Sequence, residues 1–324
     1  MKTIKLETKQ IIYLYPKAPF NYTFNFYKPD HFPTSDCLFE KNILWKSFRL
    51  NGNNYGLKFE DKGTTDNPKI KLTIFSKDKL STEIIEQITK ELIYRLNLEE
   101  DLSEFNNKYK NDRYLGQIIK IRKGLRSTNL YSLYESLCVY FVLQNATVRR
   151  TVSMMENLIN NYGEAIEFDS NKLSCFWQPE DMIKTTEEEL RELKLGYRAK
   201  FFIKLRDEFL ENKINEEKLR EIKDLEQLRK EVLKIYGIGP ASVEYLLFEV
   251  FHVNNGLTRI PPWEQKIMSR LIFNKDLIAT KEILEFFKTR HKGYEKLAFH
   301  YLWEDLFIRH QEKSIDWLAK EIRL

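Results

Sequence analysis

Two short stretches carry the residue types that could do chemistry in this chain of 324 residues. The first is Gly237-Ile238-Gly239, which is followed at once by Pro240 and by apolar residues at helical spacing. Proline suits the first position of a helix, and glycines let the backbone turn tightly and come close to a partner. Amide groups at such a helix start point outward and suit an anion, so this stretch predicts a phosphate-binding site.

The second stretch is Ile260-Pro261-Pro262-Trp263-Glu264, in which two prolines form a rigid corner ahead of a carboxylate. The sequence therefore places an anion site and an acidic group close together. By itself, the glycine stretch also fits a plain turn that joins two packed helices, and the rest of the chain decides between these interpretations.

The composition is that of an ordinary globular protein. With 42% hydrophobic residues, the chain can form one large core or two modest ones, and we expect two domains. The sequence contains no apolar run of membrane-spanning length, and its first residues lack the apolar core of a secretory signal. We therefore expect an intracellular monomer without a membrane partner, in the cytoplasm or nucleoid, with the nucleus left open.

Cysteines and charge exclude some classes of protein and favour others. Cys37, Cys138 and Cys175 are far apart and odd in number, which argues against a disulfide framework and an iron–sulfur cluster. The net charge is only +5, but residues 113–150 hold seven Lys and Arg residues against a single acid, Glu135. A surface polarised in this way can hold a phosphate backbone, and a solvated charged face is the alternative.

The first part of the chain has the pattern of β-strands. Short segments rich in β-branched and aromatic residues are separated by turn residues, which predicts an antiparallel sheet with one buried face. The predicted strands are 11–15, 22–26, 44–50, 55–59 and 70–75, with a hairpin turn at 51–54.

From Ser81 onward the apolar residues follow a helical period instead. The predicted helices are 82–96, 102–109, 114–123, 131–143, 148–162, 186–193, 199–210, 225–236 and 240–251. Thr186 and Glu189 form a capping box at the start of one of them. We therefore predict an α+β fold, in which an N-terminal antiparallel β-sheet domain (1–80) packs on a mostly α-helical domain (81–324).

The glycine hairpin and the Pro-Pro-x-carboxylate corner together resemble the signature of the helix-hairpin-helix DNA glycosylase superfamily. That signature comprises a helix-hairpin-helix, here at about 225–252, and a Gly/Pro-rich catalytic loop with an aspartate, here at about 256–266. Four further stretches are similar to the branch that holds the bacterial inducible 3-methyladenine glycosylases and the 8-oxoguanine glycosylases. They are 123–126, 141–150, 195–200 and 297–303. Their order and spacing extend the resemblance over nearly the whole chain.

The resemblance implies an enzyme of DNA repair that flips a damaged purine out of duplex DNA and hydrolyses its N-glycosidic bond. Asn145 would fill the gap left by the extruded base, with Gln144 beside it, although Gln144 also fits an ordinary polar helix end. DNA contacts are implied for Gly237, Ile238, Gly239, Ala241, Arg149, Arg150, Tyr197, Arg198 and Lys200. Arg150 falls where the 8-oxoguanine branch has an arginine that reads the orphaned base.

The resemblance also implies which residues form the base pocket and carry the catalysis. Tyr245 and Trp303 match aromatic walls of the pocket in the alkylation-repair branch, and core aromatics are the alternative. Glu264 matches the catalytic aspartate but is one methylene longer. Either the pocket is set back to suit the glutamate, or the protein is slow or inactive. Ala241 occupies the position of the Schiff-base lysine of bifunctional members, so we expect water to be the nucleophile.

The expected partner is double-stranded DNA that contains a damaged base. No organic cofactor and no metal site of side chains is expected, whereas the family implies a K⁺ or Na⁺ ion at the backbone of the Gly237–Gly239 hairpin. Three functions are open at this point. They are a glycosylase for alkylated purines, an 8-oxoguanine-type glycosylase without the lyase lysine, and a non-catalytic lesion-sensing protein in which Glu264 has replaced the aspartate.

Overall fold

The structure is a computed structural model that describes residues 3–28 and 34–321, so the remaining residues of the two predicted domains lie outside it. The strands of the described part are β1 (Thr3–Lys5), β2 (Thr8–Leu14), β3 (Cys37–Glu40), β4 (Ile43–Leu50), β5 (Asn53–Asp61), β6 (Ile70–Ser76), β7 (Glu164–Phe168) and β8 (Asn171–Cys175).

The helices of the described part follow from residue 22 to residue 321. They are α1 (Tyr22–Phe26), α2 (Thr82–Arg95), α3 (Ser103–Tyr109), α4 (Gly116–Ile121), α5 (Leu133–Leu143), α6 (Val148–Tyr162), α7 (Glu187–Glu192), α8 (Ala199–Leu210), α9 (Glu216–Glu221), α10 (Leu225–Leu233), α11 (Pro240–Glu249), α12 (Pro262–Phe273), α13 (Thr280–Arg290), α14 (Glu295–Glu312) and α15 (Asp316–Glu321). Among them is no helix whose length and apolar character would let it cross a membrane.

Five strands form one antiparallel sheet in the order β2-β6-β5-β4-β3. Its buried face carries Leu57, Phe59 and Leu72, all fully enclosed, and packs against Ile88 and Leu92 of α2. The sheet thus has one face on a helix, as the alternating pattern predicts. The turn between β4 and β5 also follows the prediction, with positive φ at two successive residues.

A second sheet contains strands from both of the predicted domains. It has the order β1-β7-β8, with β1 parallel to β7, and the β7–β8 hairpin comes from the range predicted to be helical. Phe168 of this hairpin packs on Phe75 of the large sheet, with ring centroids 5.2 Å apart. A Cβ atom at Gly56 would lie 2.5 Å from the Phe168 ring, so the strand beneath needs a glycine there.

The prediction of a strand at 22–26 is wrong, because this segment is helix α1. The Asn21 side chain accepts a hydrogen bond from the Phe24 amide and caps the helix. Tyr22 and Phe26 lie one turn apart on the buried face, where their ring centroids are 4.6 Å apart. Aromatic residues generally favour β-strands. In this segment they are spaced one helical turn apart, and their packing in the core outweighs the strand propensity.

The helical part has two apolar cores that meet at α11. One core gathers residues of α5, α6, α8, α10 and α11, among them Val243 and Leu247. The other gathers residues of α3, α4 and α12 to α15, and Phe248 of α11 packs against it. The glycine hairpin belongs to the first core and the proline corner, through Ile260, to the second. Helix α11 therefore positions the two halves of the candidate site.

Part of the basic stretch 113–150 is structural rather than a surface for phosphates. Arg126 is completely buried, where its guanidinium donates hydrogen bonds to the carbonyls of Lys17, Pro19 and Asn97. Burial lowers the pKa of this guanidinium to about 10. The arginine ties the segment ahead of α1 to the helical part, because it donates to the carbonyls of Lys17 and Pro19 on one side and of Asn97 on the other.

We predict that Arg126→Met lowers the free energy of unfolding by about 3 kcal/mol, because it leaves buried carbonyls without donors. The matched control is Lys123→Met, since Lys123 is exposed and pairs only with exposed Asp66. Its expected cost is below about 1 kcal/mol. Urea unfolding of both variants measures the difference, and equal effects would contradict the anchoring role of Arg126.

Candidate active site and nucleic-acid interface

The glycine hairpin leaves backbone amides directed away from the core. Gly237 has a left-handed backbone (φ +88°), and a Cβ atom there would lie 2.8 Å from the Phe201 ring. Gly239 precedes α11, and a Cβ atom at that position would meet no atom within 4 Å. Hydrogen bonds among residues 3–28 and 34–321 include none donated by the amides of Gly237, Gly239 or Ala241. Buried Ile238 anchors the hairpin in the first core, so these amides are held at an open surface that suits an anion.

The turn between α5 and α6 lies beside this hairpin. Nε2 of Gln144 donates a hydrogen bond to the carbonyl of Gly237 at 2.7 Å, so this side chain connects the two elements. Asn145 follows with a left-handed backbone (φ +48°) and an exposed side chain. Asparagine tolerates this conformation better than most residues. The insertion of Gln144 and Asn145 into a duplex stays a prediction, and of the two only Asn145 is exposed.

Arg198 differs from the expectation that it contacts DNA, because only 1% of it is exposed. Its Nε donates to the carbonyl of Phe141 at 3.0 Å, and a second guanidinium nitrogen donates to the carbonyl of Gln144. Burial lowers the pKa of this guanidinium. The side chain satisfies carbonyls at the end of α5, which have no partner within the helix. Arg198 therefore supports the turn that carries Asn145 and does not face a phosphate.

Other residues of the predicted interface are exposed on this surface. Tyr197 is 45% exposed, and its hydroxyl accepts a hydrogen bond from Nδ2 of Asn145 at 3.3 Å. Arg149 and Arg150 lie exposed in the first turn of α6, and Lys200 is exposed at the start of α8. The structure thus brings four of the predicted DNA-contacting side chains to solvent near the hairpin and the α5–α6 turn. Their contacts with phosphates stay predictions.

Glu264 lies in the first turn of α12 and is only 5% exposed. The hydroxyl of Tyr245 donates a hydrogen bond to Oε1 of Glu264 at 2.5 Å. The amides at the start of a helix favour a negative charge nearby, and a hydroxyl donor favours it as well. The chain therefore brings the predicted catalytic carboxylate and one predicted pocket aromatic into direct contact.

Two residues that the sequence did not single out lie behind this pair. Tyr140 of α5 stacks on Tyr245, with ring centroids 5.8 Å apart and planes inclined by 20°. Its hydroxyl donates to Oε2 of Glu249 at 2.7 Å. Burial raises the pKa of Tyr140 well above the usual value, and the charge of Glu249 adds to that effect. Glu249 is four residues after Tyr245 and so on the same face of α11, a spacing that could have identified it.

Trp303 is 6% exposed and packs between Phe299 and Phe307 in the second core. Its role as a wall of the base pocket stays a prediction. Trp263 of the proline corner, which the sequence alone does not indicate as a pocket residue, is 49% exposed and packs edge-on against Trp303, with ring centroids 4.9 Å apart. This ring next to Glu264 is therefore the accessible aromatic of the corner.

Buried charges join the hairpin helices to the predicted catalytic loop. The carboxylate of Glu244 on α11 forms ion pairs with Arg229 of α10 and Lys296 of α14, the latter at 2.8 Å. Thr258 of the loop donates a hydrogen bond to the same carboxylate at 2.8 Å, and Arg229 also donates to the carbonyl of Gly256. Burial, helped by the charge of Arg229, lowers the pKa of Lys296 to about 7. The predicted catalytic loop is thus held against the hairpin motif.

The hairpin backbone has carbonyl oxygens of the kind that coordinate a monovalent cation. The carbonyls of Ile235 and Gly237 each accept one hydrogen bond, and a carbonyl has a second lone pair. These lone pairs fit the K⁺ or Na⁺ ion that the family resemblance implies, and the ion itself stays a prediction. Within residues 3–28 and 34–321, no group of three or more His, Cys, Asp or Glu side chains is arranged to hold a metal ion.

A cleft of about 670 Å³ lies away from these residues, at the C-terminal end of α11. It is lined by residues such as Lys108, Lys223, His252 and Tyr294, and it contains none of the predicted site residues. The candidate site therefore lies at Glu264 and the hairpin and not in this cleft.

These features define the class: the chain has the fold of the helix-hairpin-helix DNA glycosylase superfamily, which confirms the α+β fold and the family resemblance seen in the sequence. The fold matches a 3-methyladenine DNA-glycosylase of Archaeoglobus fulgidus with a TM-score of 0.73 and 18% identity, over 94% of this chain and 99% of that chain. It also matches the 8-oxoguanine glycosylase/lyase of Clostridium acetobutylicum in its apo-form, with a TM-score of 0.67 and 16% identity, over 94% and 99% of the two chains.

In sequence, the chain is 25% identical over 226 residues to a DNA-3-methyladenine glycosylase of Bacillus subtilis (strain 168). That similarity covers 68% of this chain and 73% of the relative. No family model matches the sequence.

We predict that Arg149→Ala and Arg150→Ala each weaken duplex binding and reduce the slope of log K against log salt by about 1, because each removes one phosphate contact. Arg198→Met is the contrasting variant. It is expected to lower the midpoint of thermal unfolding and to keep the slope of the wild type, since the side chain is buried. Fluorescence anisotropy at several salt concentrations measures the slopes. A reduced slope with unchanged stability in Arg198→Met would contradict its structural role.

Proposed function

We propose that this protein is a monofunctional DNA glycosylase that releases a damaged purine, and specifically an alkylated one, from double-stranded DNA by hydrolysis. The observation that carries the proposal is the position of Glu264, a buried carboxylate held by Tyr245 at the start of α12. The fold and the sequence similarity to a protein named DNA-3-methyladenine glycosylase support it.

The hairpin amides, the exposed basic residues and the turn that carries Asn145 fit a protein that binds a bent, opened duplex as a monomer. The open amides of the Gly237–Gly239 hairpin suit one phosphate, and exposed Arg149, Arg150 and Lys200 add positive charge nearby. Asn145 projects from the turn between two helices, and its backbone is fixed by the bonds to the carbonyl of Gln144 beside it. A side chain held in this way is suited to occupy the space of an extruded nucleotide.

In the proposed reaction, the bond between the sugar carbon C1′ and the purine nitrogen breaks, and its electron pair leaves with the base. The sugar becomes cationic, and the carboxylate of Glu264 stabilises that charge. At a separation of about 4 Å, this interaction is worth about 4 kcal/mol at an effective dielectric constant near 20. Water then adds to C1′ and releases one proton, and no strand is cut.

Alkylated purines suit this set of side chains. A purine methylated on a ring nitrogen is cationic in the nucleoside, so it leaves as a neutral base without receiving a proton. Its positive charge also favours stacking on electron-rich rings. Tyr245 contacts Glu264, and Trp263, which precedes Glu264 in the chain, is exposed. An uncharged lesion such as 8-oxoguanine gains less from such rings.

The second candidate is an 8-oxoguanine-type glycosylase, which the fold similarity to the glycosylase/lyase of Clostridium acetobutylicum favours. A lyase needs a lysine that forms a Schiff base, and position 241 is alanine. Lys296 is a buried lysine with a lowered pKa, but its ammonium group pairs with Glu244. We therefore propose hydrolysis without strand cleavage.

We predict that the wild-type protein releases bases from duplexes carrying 3-methyladenine or 7-methylguanine and leaves abasic sites that break only after heat and alkali. Glu264→Gln is expected to slow release by about 10²- to 10³-fold, because it removes the charge that stabilises the cationic sugar. Glu285→Gln, on the exposed face of α13, makes the same charge change elsewhere and should act like the wild type. Single-turnover assays measure these rates.

Parallel duplexes with hypoxanthine or 8-oxoguanine test the substrate class. Faster release of 8-oxoguanine would favour the second candidate. An adduct trapped by borohydride would contradict the expectation from Ala241 that water is the nucleophile. Tight, salt-sensitive duplex binding with no release from any of the four substrates would instead indicate the non-catalytic alternative.

A further inference from the structure

We propose that Tyr245 is a positioning residue whose hydroxyl holds the Glu264 carboxylate in place, so that a glutamate can serve where the superfamily has an aspartate. This role rests on the proposed function and goes beyond the assignment of Tyr245 as a wall of the base pocket. It explains how the extra methylene of Glu264 can be accommodated.

The contact itself is short and directional. The Tyr245 hydroxyl donates to Oε1 of Glu264 at 2.5 Å, within the range of charge-assisted O–H···O⁻ bonds. Such bonds are about twice as strong as those between neutral groups. The outermost torsion angle of a glutamate side chain, χ3, normally has a broad distribution. Because one oxygen of the carboxylate is bound in this way, rotation about χ3 is restricted in Glu264.

The Tyr245 ring is supported from behind, so its hydroxyl cannot readily follow a displaced carboxylate. Tyr140 stacks on it, with ring centroids 5.8 Å apart, and is itself held by its hydrogen bond to Glu249 at 2.7 Å. Tyr140 belongs to α5, whereas Tyr245 and Glu249 belong to α11. Two packed helices therefore determine where the hydroxyl lies.

The length of the side chain at position 264 is matched to this hydroxyl. An aspartate there would withdraw the carboxylate by about one C–C bond, roughly 1.5 Å. The distance from the hydroxyl to the nearest carboxylate oxygen would then be about 4 Å, which is too long for a hydrogen bond. Tyr245 and Glu264 therefore act as a pair, and replacing Glu264 by the aspartate of the superfamily should impair the enzyme.

An unsupported glutamate would be a poor catalyst at this position. Glutamate has more rotatable bonds than aspartate and loses more rotamer freedom when it is fixed. A displacement of the catalytic group by about 1 Å can cost a factor of about 10² in rate. The hydrogen bond from Tyr245 limits this displacement before substrate binds, which is preorganisation of the catalytic charge.

The experiment is a double-mutant cycle with wild type, Tyr245→Phe, Glu264→Asp and the double variant, assayed for base release from a 7-methylguanine duplex. Phenylalanine keeps the ring that would stack on a base and removes only the hydroxyl. We expect Tyr245→Phe to lower the single-turnover rate constant by about 10- to 100-fold. The enzyme concentration that gives half the maximal rate should stay within about twofold of the wild type, because stacking is retained.

Glu264→Asp should also be slower than the wild type, and the double variant should be no slower than Glu264→Asp. Neighbouring residues that act through one contact give such non-additive effects. Tyr15→Phe, which alters a side chain that is 68% exposed in the N-terminal part, is the control and should match the wild type. Thermal unfolding and duplex binding of every variant show that the proteins are folded.

Three results would overturn the positioning role while leaving the proposed function intact. They are a Tyr245→Phe rate within twofold of the wild type, a Glu264→Asp rate equal to or above that of the wild type, and independent, multiplying effects in the double variant. A wild type that releases no base from any of the four duplexes would overturn the proposed function and this role with it. The two failures are therefore distinguishable.

Discussion

The buried carboxylate of Glu244 is the interaction on which the geometry of the site depends. It lies on the helix that follows the glycine hairpin, and its partners, Arg229, Lys296 and Thr258, come from three other segments. Burying a charge is costly unless it is paired, so these segments can lie close together only in the arrangement that pairs all of the charges. The hairpin and the predicted catalytic loop are thereby fixed relative to each other, although they belong to different apolar cores.

Buried guanidinium groups perform a similar task elsewhere in the chain. Arg198 satisfies carbonyls at the end of α5, and Arg126 satisfies carbonyls of the segment before α1. In both cases the guanidinium donates hydrogen bonds to carbonyls that have no backbone amide among the described residues to bond with, because the segment is irregular. The turn carrying Asn145 and the junction of the two predicted domains are therefore held by arginines, and the positive charge available to phosphates is smaller than the sequence suggests.

Much of the fold could be predicted from the sequence, because most of the helices and the longer strands have a clear apolar period. Helix 148–162 was predicted with the same bounds that the structure shows, since Thr147 caps it and Gly163 ends it. The sequence does not predict the β7–β8 hairpin, because its strands are short and lie among helical segments, although they pair locally around a turn at Asp169 and Ser170. The pairing of β7 with β1, which lies far from it in the chain, has no local signal. The aromatic content of segment 22–26 predicts a strand, whereas the structure shows a helix that the side chain of Asn21 caps.

The candidate site was predictable where it depends on local motifs and not where it depends on tertiary contacts. The hairpin glycines and the buried carboxylate of Glu264 lie in short motifs that can be read directly. The contact between Tyr245 and Glu264 joins two helices, and whether an arginine such as Arg198 is buried or exposed is decided by the carbonyls around it. No pattern in one sequence contains that information.

The parallel pairing of β1 with β7 has a consequence for the order of folding. Strands β2 to β6 are close together in the chain and can pair early, whereas Thr3 pairs with Ala165 and must wait until half of the chain has been synthesised. Contacts between such distant residues carry the highest entropic cost of closure. Because β7 follows α6 almost directly, the pairing of β1 ties this strand to the segment that follows the helix whose beginning carries Arg149 and Arg150. The first strand can therefore join its sheet only once the helix that carries part of the proposed DNA-binding surface has been synthesised.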